Sequence, residues 1–396
     1  MVNTRVEKMS KVKKDKLLGV ASLLFCFFAV IDPANSIFGV KVPTFFFLLL
    51  CLFVKYRPSY RHFAILGLLI TMQLVSFLCG TIAGFEFNYA LTTQFFIFFV
   101  TLYLLCWDYA IDFELSIMLA CVVLSVITII GSIIFAYYPE MEVPMYEFSK
   151  EHNTLFLLSK REFLGVEFKS FFYRSLPLVV LPASIYFNKL LTIRAHRKRH
   201  LLLSVLFLSA LFCGGNRAML LGMFSIITIT SYSVLNKNKF FRLLILLLIL
   251  VGFYIAYLAI TEVGETSSDI KFGHIVSYRE YFPEYWYTLF FGTGAGSMFY
   301  SDGFGEMTAQ TEWTYIEIVR MYGIIGLLLI LLLLFKPLFL KPKGVQIENW
   351  SQVKFSYLLY MFLAGSNPNL FCSTGLICIV YFYSYVSNPK YIVNHV

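Results

Sequence analysis

Apolar residues recur along this chain in runs too long and unbroken for an alternating strand or for the single stripe of a surface helix. Runs close to the 17–25 residues that cross a bilayer as a helix occupy Leu17–Asn35, Ile37–Val54, Phe63–Gly84, Leu91–Trp107, Leu115–Tyr137, Phe171–Phe187, Leu201–Gly215, Ala218–Leu235, Leu243–Ile260, Tyr315–Phe335, Val353–Gly365 and Thr374–Val386. The pattern predicts an all-α, polytopic helix bundle of about twelve spans, forming one integral membrane domain over residues 1–396. Leu201–Gly215 and Val353–Gly365 are short for a full crossing and read as halves of re-entrant hairpins or as helices that stop below the outer surface. Most connections are short, but Tyr138–Ser170 and Thr261–Thr314 are not, and loops of that length usually carry function or are disordered. The second holds His274, Arg279, Trp286, many tyrosines and a glycine-rich turn. It predicts short amphipathic helices at the membrane interface, with Tyr and Trp at headgroup level.

Composition sharpens this picture. Of 396 residues 59% are apolar and only 14% charged, and the mean hydropathy is +0.75. That leaves too little polar surface for a soluble enzyme, a disordered chain or a nucleic-acid-binding module. The net charge of +9 resolves into topology. With both termini inside, 22 basic and 6 acidic residues face the cytoplasm, a net of +16, and 10 and 17 face outward, a net of −7. This is the positive-inside pattern of a multi-pass membrane protein with both termini cytoplasmic. One extra or missing span would put the Arg194–Arg199 cluster outside. The run after Lys16 passes Pro33 without a small-residue cleavage site, so it reads as a signal anchor. The eight cysteines form no CxxC pair and no Cys/His cluster; they read as packing residues, and neither a metal nor a cofactor is expected.

Candidate chemistry lies on the outer side. Arg217, in Gly214-Gly215-Asn216-Arg217-Ala218, sits between two apolar stretches with no nearby acid, where an isolated charge costs at least ~2.5–3.5 kcal/mol at a helix centre. The flanking glycines break the helix and expose amides, which with the guanidinium make an anion site; the plainer reading is an arginine reaching outer headgroups. Arg279 is a second candidate, or a surface partner of Glu280 or Glu284. Arg174 and Arg320 stand at the outer edges of spans, where reaching headgroups is the plainer reading. Guanidinium forks suit phosphate oxygens, so one anionic ligand, a lipid-linked diphosphate, is expected on this otherwise acidic face. Glu312, at a helix start, has the setting of a general base, or of an acid favoured by the helix dipole. Glu317 can pair with Arg320 at i,i+3. Trp286 and its aromatic neighbours could stack on sugars or belong to the interfacial belt. Gly292-Thr293-Gly294-Ala295-Gly296 lacks the βαβ context of a dinucleotide loop. It reads as a tight turn where backbone passes close to something, a ligand included.

Several of these stretches resemble the bacterial O-antigen polymerase family, within the superfamily that includes the O-antigen ligases. They are Gly215-Asn216-Arg217-Ala218; Ser277-Tyr278-Arg279 followed by Trp286 and Phe291-Gly292-Thr293-Gly294-Ala295-Gly296; Thr311-Glu312-Trp313-Thr314-Tyr315-Ile316 followed by Met321-Tyr322-Gly323-Ile324-Ile325-Gly326; and Asn367-Pro368-Asn369 with Ser373-Thr374-Gly375. The resemblance implies a C-type membrane glycosyltransferase that polymerises undecaprenyl-diphosphate-linked oligosaccharide repeat units into O-antigen or a related surface polysaccharide at the periplasmic face. It implies Arg217 and Arg279 as electrophiles and Glu312 as base, with His274, Arg174, Arg320, Trp286 and Gly294 contacting substrate. The implied partners are the lipid-linked oligosaccharide, the bilayer and a chain-length-regulating membrane protein, with no nucleic acid. Ligases carry a His where this chain has Glu312, which favours the polymerase side. A ligase that transfers polymer to lipid A core, and a flippase or other transporter, remain the alternatives; no internal repeat of the transporter kind is visible.

Overall fold

The computed structural model describes residues 16–55, 60–105, 113–163, 166–235, 243, 247, 266–339, 346–347, 349–365, 370–387 and 392–393. Helices dominate. Five come first: α1 (Lys16–Ile31), α2 (Lys41–Lys55), α3 (Tyr60–Ile82), α4 (Tyr89–Leu105) and α5 (Phe113–Tyr137). The first long connection holds α6 (Glu142–Glu151) and an antiparallel hairpin of β1 (Phe156–Phe163) and β2 (Val166–Tyr173). Next come α7 (Val180–Thr192), α8 (Arg197–Cys213) and α9 (Arg217–Leu235). The second long connection holds α10 (Thr266–Glu284) and a short hairpin of β3 (Phe299–Ser301) and β4 (Glu306–Thr308). Helices α11 (Thr314–Phe339), α12 (Trp350–Gly365) and α13 (Ser373–Ser387) follow.

Each apolar run predicted within the described residues contains a helix, while Leu243–Ile260 falls outside them apart from Leu243 and Leu247. Among the described residues these helices do not confirm twelve full crossings. Four are long and apolar enough to cross a membrane: Phe63–Ile82, Phe113–Tyr137, Arg217–Val234 and Thr314–Phe339. Others are shorter because the chain turns inside the apolar run. Helix α1 stops at Ile31 because the buried Asp32 carboxylate gathers the amides of Ser36, Ile37 and Phe38 into a turn. That turn removes the first four residues of the predicted Ile37–Val54 span. The predicted Phe171–Phe187 span fails more completely. Phe171, Phe172 and Tyr173 finish strand β2, and α7 begins only at Val180. Aromatic residues suit a strand as well as a helix, and apolar runs this short do not reveal which.

Helix α5 lies at the centre against α1, α8 and β2. At Gly131 of α5 an added Cβ would fall 2.9 Å from the Phe171 ring, so the hairpin is seated on the end of this helix. Connections assigned to one side by charge meet at one end of the bundle. At the loop-bearing end, the Tyr173 hydroxyl donates to the Ile31 carbonyl, Ser36 to His152 (3.1 Å), Ser373 to Ala29 (3.3 Å) and Thr314 to Ala364 (3.3 Å). At the opposite end Lys189 pairs with Glu114 (3.7 Å), and Asn188 meets Asn349 (3.4 Å). Leu74, Leu78 and Ile82 on α3 and Ile324, Leu328 and Leu332 on α11 form exposed apolar rows at i,i+4 spacing, as expected of helices that face lipid.

Candidate functional site

The second long connection is fastened to α11 through backbone. Helix α11 is broken at Gly323, whose φ of 68° and ψ of −175° are not helical. Such a break frees amides and carbonyls that must find partners inside a membrane protein. The glycine loop supplies them. Thr293 N donates to the Arg320 carbonyl (3.0 Å), Gly294 N to the Met321 carbonyl (2.8 Å), and Ile325 N to the Phe290 carbonyl (3.3 Å). The approach requires glycine on both sides: a Cβ at Gly292 would sit 2.3 Å from Met321 backbone, and one at Gly323 would sit 2.3 Å from Phe290 backbone. The object that this turn passes is therefore the chain itself. Gly294, expected to contact substrate, is buried with Phe77 backbone 2.9 Å from where its Cβ would lie. It is a packing glycine.

Beneath the loop lies a buried ion pair. Glu317 and Arg320 meet at 2.7 Å, one turn apart on α11, with side chains 3% and 0% exposed. All five guanidinium donors are used: Nε and Nη2 donate to Glu317 Oε2, Nη2 also to the Ala309 carbonyl, and Nη1 to the carbonyl and hydroxyl of Ser297. The Phe299 ring lies 4.4 Å from the guanidinium carbon. Glu317 Oε1 accepts from the Tyr278 hydroxyl (2.5 Å) and from Thr311 N (3.1 Å). Burial, with the Glu317 carboxylate beside it, raises the Tyr278 phenol well above its ordinary range. The expected i,i+3 pair is present, but Arg320 has no donor left for a substrate. It binds the second connection to α11 instead of orienting a ligand.

His274 is also sealed in. It is fully buried, with Nδ1 2.7 Å from the Ser301 hydroxyl and Phe304 edge-on to the ring at 4.5 Å. Its Nε2 has no hydrogen-bond partner among the described residues. Burial lowers its pKa, outweighing the opposite pull of Glu312 and Glu317. One turn along α10, Ser277 donates to Asp302 (2.9 Å) and receives the Asp302 amide (2.7 Å). Glu312 lies at the edge of this group, 3.4 Å from the Lys271 ammonium and 29% exposed. Arg279 is exposed on the face of α10 that carries Phe272 and Ile275, opposite the inward-facing His274, Tyr278 and Tyr281. Trp286 is exposed beside Tyr287, close to the Gly323 break.

Arg217 and Arg174 belong to a different grouping. The α8–α9 turn is broken as expected: Gly215 has a φ of 57°, and the Asn216 side chain caps α9 by accepting the Ala218 amide (2.9 Å). Arg217 opens α9, half-buried. Space at Gly214 is filled by Leu176, whose side chain lies 2.2 Å from where a Cβ would be. Leu176 follows Arg174 by two residues, so Arg174 and Arg217 flank one contact. Arg174 is exposed and within electrostatic reach of Cys372, as is the half-buried Lys41. The Lys41 ammonium donates to the Pro33 carbonyl. Lys41 carried no sequence signal beyond a charge at a helix start. The network role of Tyr278 and Thr311 had none either, because it depends on residues more than thirty positions apart.

A third feature is a cleft of about 480 Å³ between α6, β1 and the end of α5. Phe135, Tyr146, Glu147 and Lys150 line it beside the Glu142–Lys160 ion pair (2.6 Å). Compared with family models, curated proteins and solved structures, the chain matches none of them.

Proposed function

We propose that this protein is a membrane glycosyltransferase that polymerises undecaprenyl-diphosphate-linked oligosaccharide repeat units into O-antigen or a related surface polysaccharide at the periplasmic face of the inner membrane. The observation that carries the reading is Arg217, a guanidinium on the first turn of an apolar helix, placed there by a left-handed glycine and an asparagine cap. A helix N-terminus and a guanidinium together favour a phosphate.

In the reaction, an acceptor sugar hydroxyl attacks the anomeric carbon of the growing chain. The bond from that carbon to the diphosphate breaks, and undecaprenyl diphosphate leaves. Arg217 stabilises the charge that develops on the leaving diphosphate. The hydroxyl proton passes to a base; Glu312, the base that the resemblance implies, pairs with Lys271 in a grouping separate from Arg217, so it serves only once the second connection moves it to the reacting sugar and off the ammonium. The cleft beside α6 falls in the size range of ligand sites and offers an aromatic ring with mixed charges, which suits an oligosaccharide. Arg279 stands on the exposed face of α10, and Arg320 acts only through its hold on the second connection.

The test is reconstitution in vesicles with a synthetic lipid-linked repeat unit. Wild type is expected to yield polymer. Arg217→Lys keeps the charge and loses the fork, so chain length is expected to collapse at unchanged protein level. Long polymer from both Arg217→Lys and Arg217→Ala would refute the mechanism.

A further inference from the structure

We propose that the β3–β4 hairpin is a flap over α10, hinged at Arg320 and latched by His274, and that a proton on His274 releases it. The latch stands whatever reaction the protein catalyses.

The base of the hairpin and its tip are held differently. Arg320 grips both ends of the base: Nη1 donates to Ser297, before β3, and Nη2 to the Ala309 carbonyl, directly after β4. Those contacts belong to the buried pair with Glu317, and a guanidinium keeps its charge at any pH the protein meets. The tip rests on α10. Ser301 meets His274 Nδ1 at 2.7 Å. The next residue, Asp302, accepts from the Ser277 hydroxyl (2.9 Å) and donates its amide to the same oxygen (2.7 Å), one turn along the helix. Glycine on both sides lets the two backbones touch. A Cβ at Gly273 would fall 2.6 Å from Gly303 N, and one at Gly303 would fall 2.5 Å from His274 Nδ1. The tip therefore sits directly over the imidazole, and Phe304 of the same turn covers the ring edge-on at 4.5 Å.

This closed arrangement suits a neutral imidazole only. A neutral ring can carry its hydrogen on Nδ1, toward Ser301, and leave Nε2 bare, whereas a protonated ring makes donors of both nitrogens. Nε2 is buried with no partner among the described residues. Once charged, it would hold a hydrogen with no acceptor, among the costliest conditions for a buried polar group. The charged groups packed around the ring are already committed. On α10, one turn earlier, Lys271 repels the imidazolium. At the junction Glu312 is paired with that lysine (3.4 Å), on α11 Glu317 is paired with Arg320 (2.7 Å), and on the flap Asp302 is bound to Ser277. Relief comes from lifting the tip. That movement takes Ser301 and Phe304 off the ring together and admits water to it, while Arg320 keeps Ser297 and Ala309 in place.

Cysteine reactivity on the full chain in neutral detergent, with the native cysteines replaced, tests this. Ser277→Cys lies under the tip, Ala309→Cys at the base and Ile275→Cys on the exposed face of α10. Rates are taken relative to Ile275→Cys, which cancels the thiol's own pH dependence. From pH 7.5 to pH 5.5 the relative rate at Ser277→Cys is expected to rise by up to about tenfold, because the open form takes up a proton at the ordinary histidine value of 6.5 and the closed form does not. Ala309→Cys is expected to stay protected at both pH values. His274→Gln is expected to hold the Ser277→Cys rate constant with pH, and Ser301→Ala to raise it already at pH 7.5. Melting at pH 7.5 checks that each variant is folded. No acid rise with His274 present, an equal rise with His274→Gln, or no effect of Ser301→Ala would overturn the latch. A parallel rise at Ala309→Cys would overturn the hinge, since the whole connection would then open as one unit.

Discussion

At the residue scale the clearest division is between charges that are used up and charges that are not. Arg320 and Glu317 are closed into the protein. A buried pair of this kind holds its place because removing one partner strands the other, at a cost of about 3–5 kcal/mol. His274 is the other sealed group, and its burial has a pH consequence. The folded pKa lies below the ordinary 6.5, so the unfolded state binds the proton first as pH falls. The associated stability is complete above that unfolded value and is lost as pH drops from it toward the folded value. Lys271 opposes protonation, and Glu312 and Glu317 favour it without reversing the sign. Protection factors over residues 266–313, taken as exchange rates relative to the intrinsic rate at each pH, are therefore expected to fall between pH 7.5 and pH 5.5, and His274→Gln is expected to flatten that dependence. An equal acid response in the variant would assign it to another group. In the sequence the Glu317–Arg320 spacing was legible, but the burial of His274 and Arg320 and the exposure of Arg279 were not. Burial depends on which side of a helix a residue occupies and what lies across from it, which local spacing does not record.

At the element scale the decisive feature is the seam between the glycine loop and the broken α11. Gly292, Gly294 and Gly323 have positive φ, and each faces protein atoms. Gly305 also has positive φ (68°) but has nothing within 4 Å of where a Cβ would lie. The two kinds of glycine give different expectations. Gly305→Ala pays only for the left-handed backbone, about 1–2 kcal/mol. Gly323→Ala adds a collision with Phe290 backbone and is expected to lower the melting temperature in detergent by clearly more. Equal shifts for the two variants would mean that the seam yields without cost. Sequence carried the turn but not its partner: the glycines were visible, whereas the break at Gly323 lay inside an apolar run that reads as continuous helix. The β1–β2 hairpin was hidden for a related reason, since Phe171–Tyr173 merged with the apolar stretch that becomes α7.

At the scale of the whole molecule, helix positions were legible because burying backbone polar groups in an apolar medium leaves few solutions. Their lengths were less so, because the Asp32 turn and hairpin strand β2 consume residues that hydropathy counts as span. The grouping of connections into two ends follows the charge count and makes orientation testable. In a chain with its native cysteines replaced, an impermeant thiol reagent added to intact cells with a permeabilised outer membrane is expected to label Lys150→Cys and Asp302→Cys, and to reach Arg197→Cys only after lysis. Labelling of Arg197→Cys in intact cells would invert the arrangement. The loop–helix seam, finally, bears on how such a chain is made. Thr293 and Gly294 precede Arg320 and Met321 in the sequence, so the amide donors leave the ribosome before the carbonyls they will satisfy. When the second half of α11 leaves the ribosome, the stretch of backbone that caps its break has already been synthesised, so the break need not wait for any later segment to be satisfied.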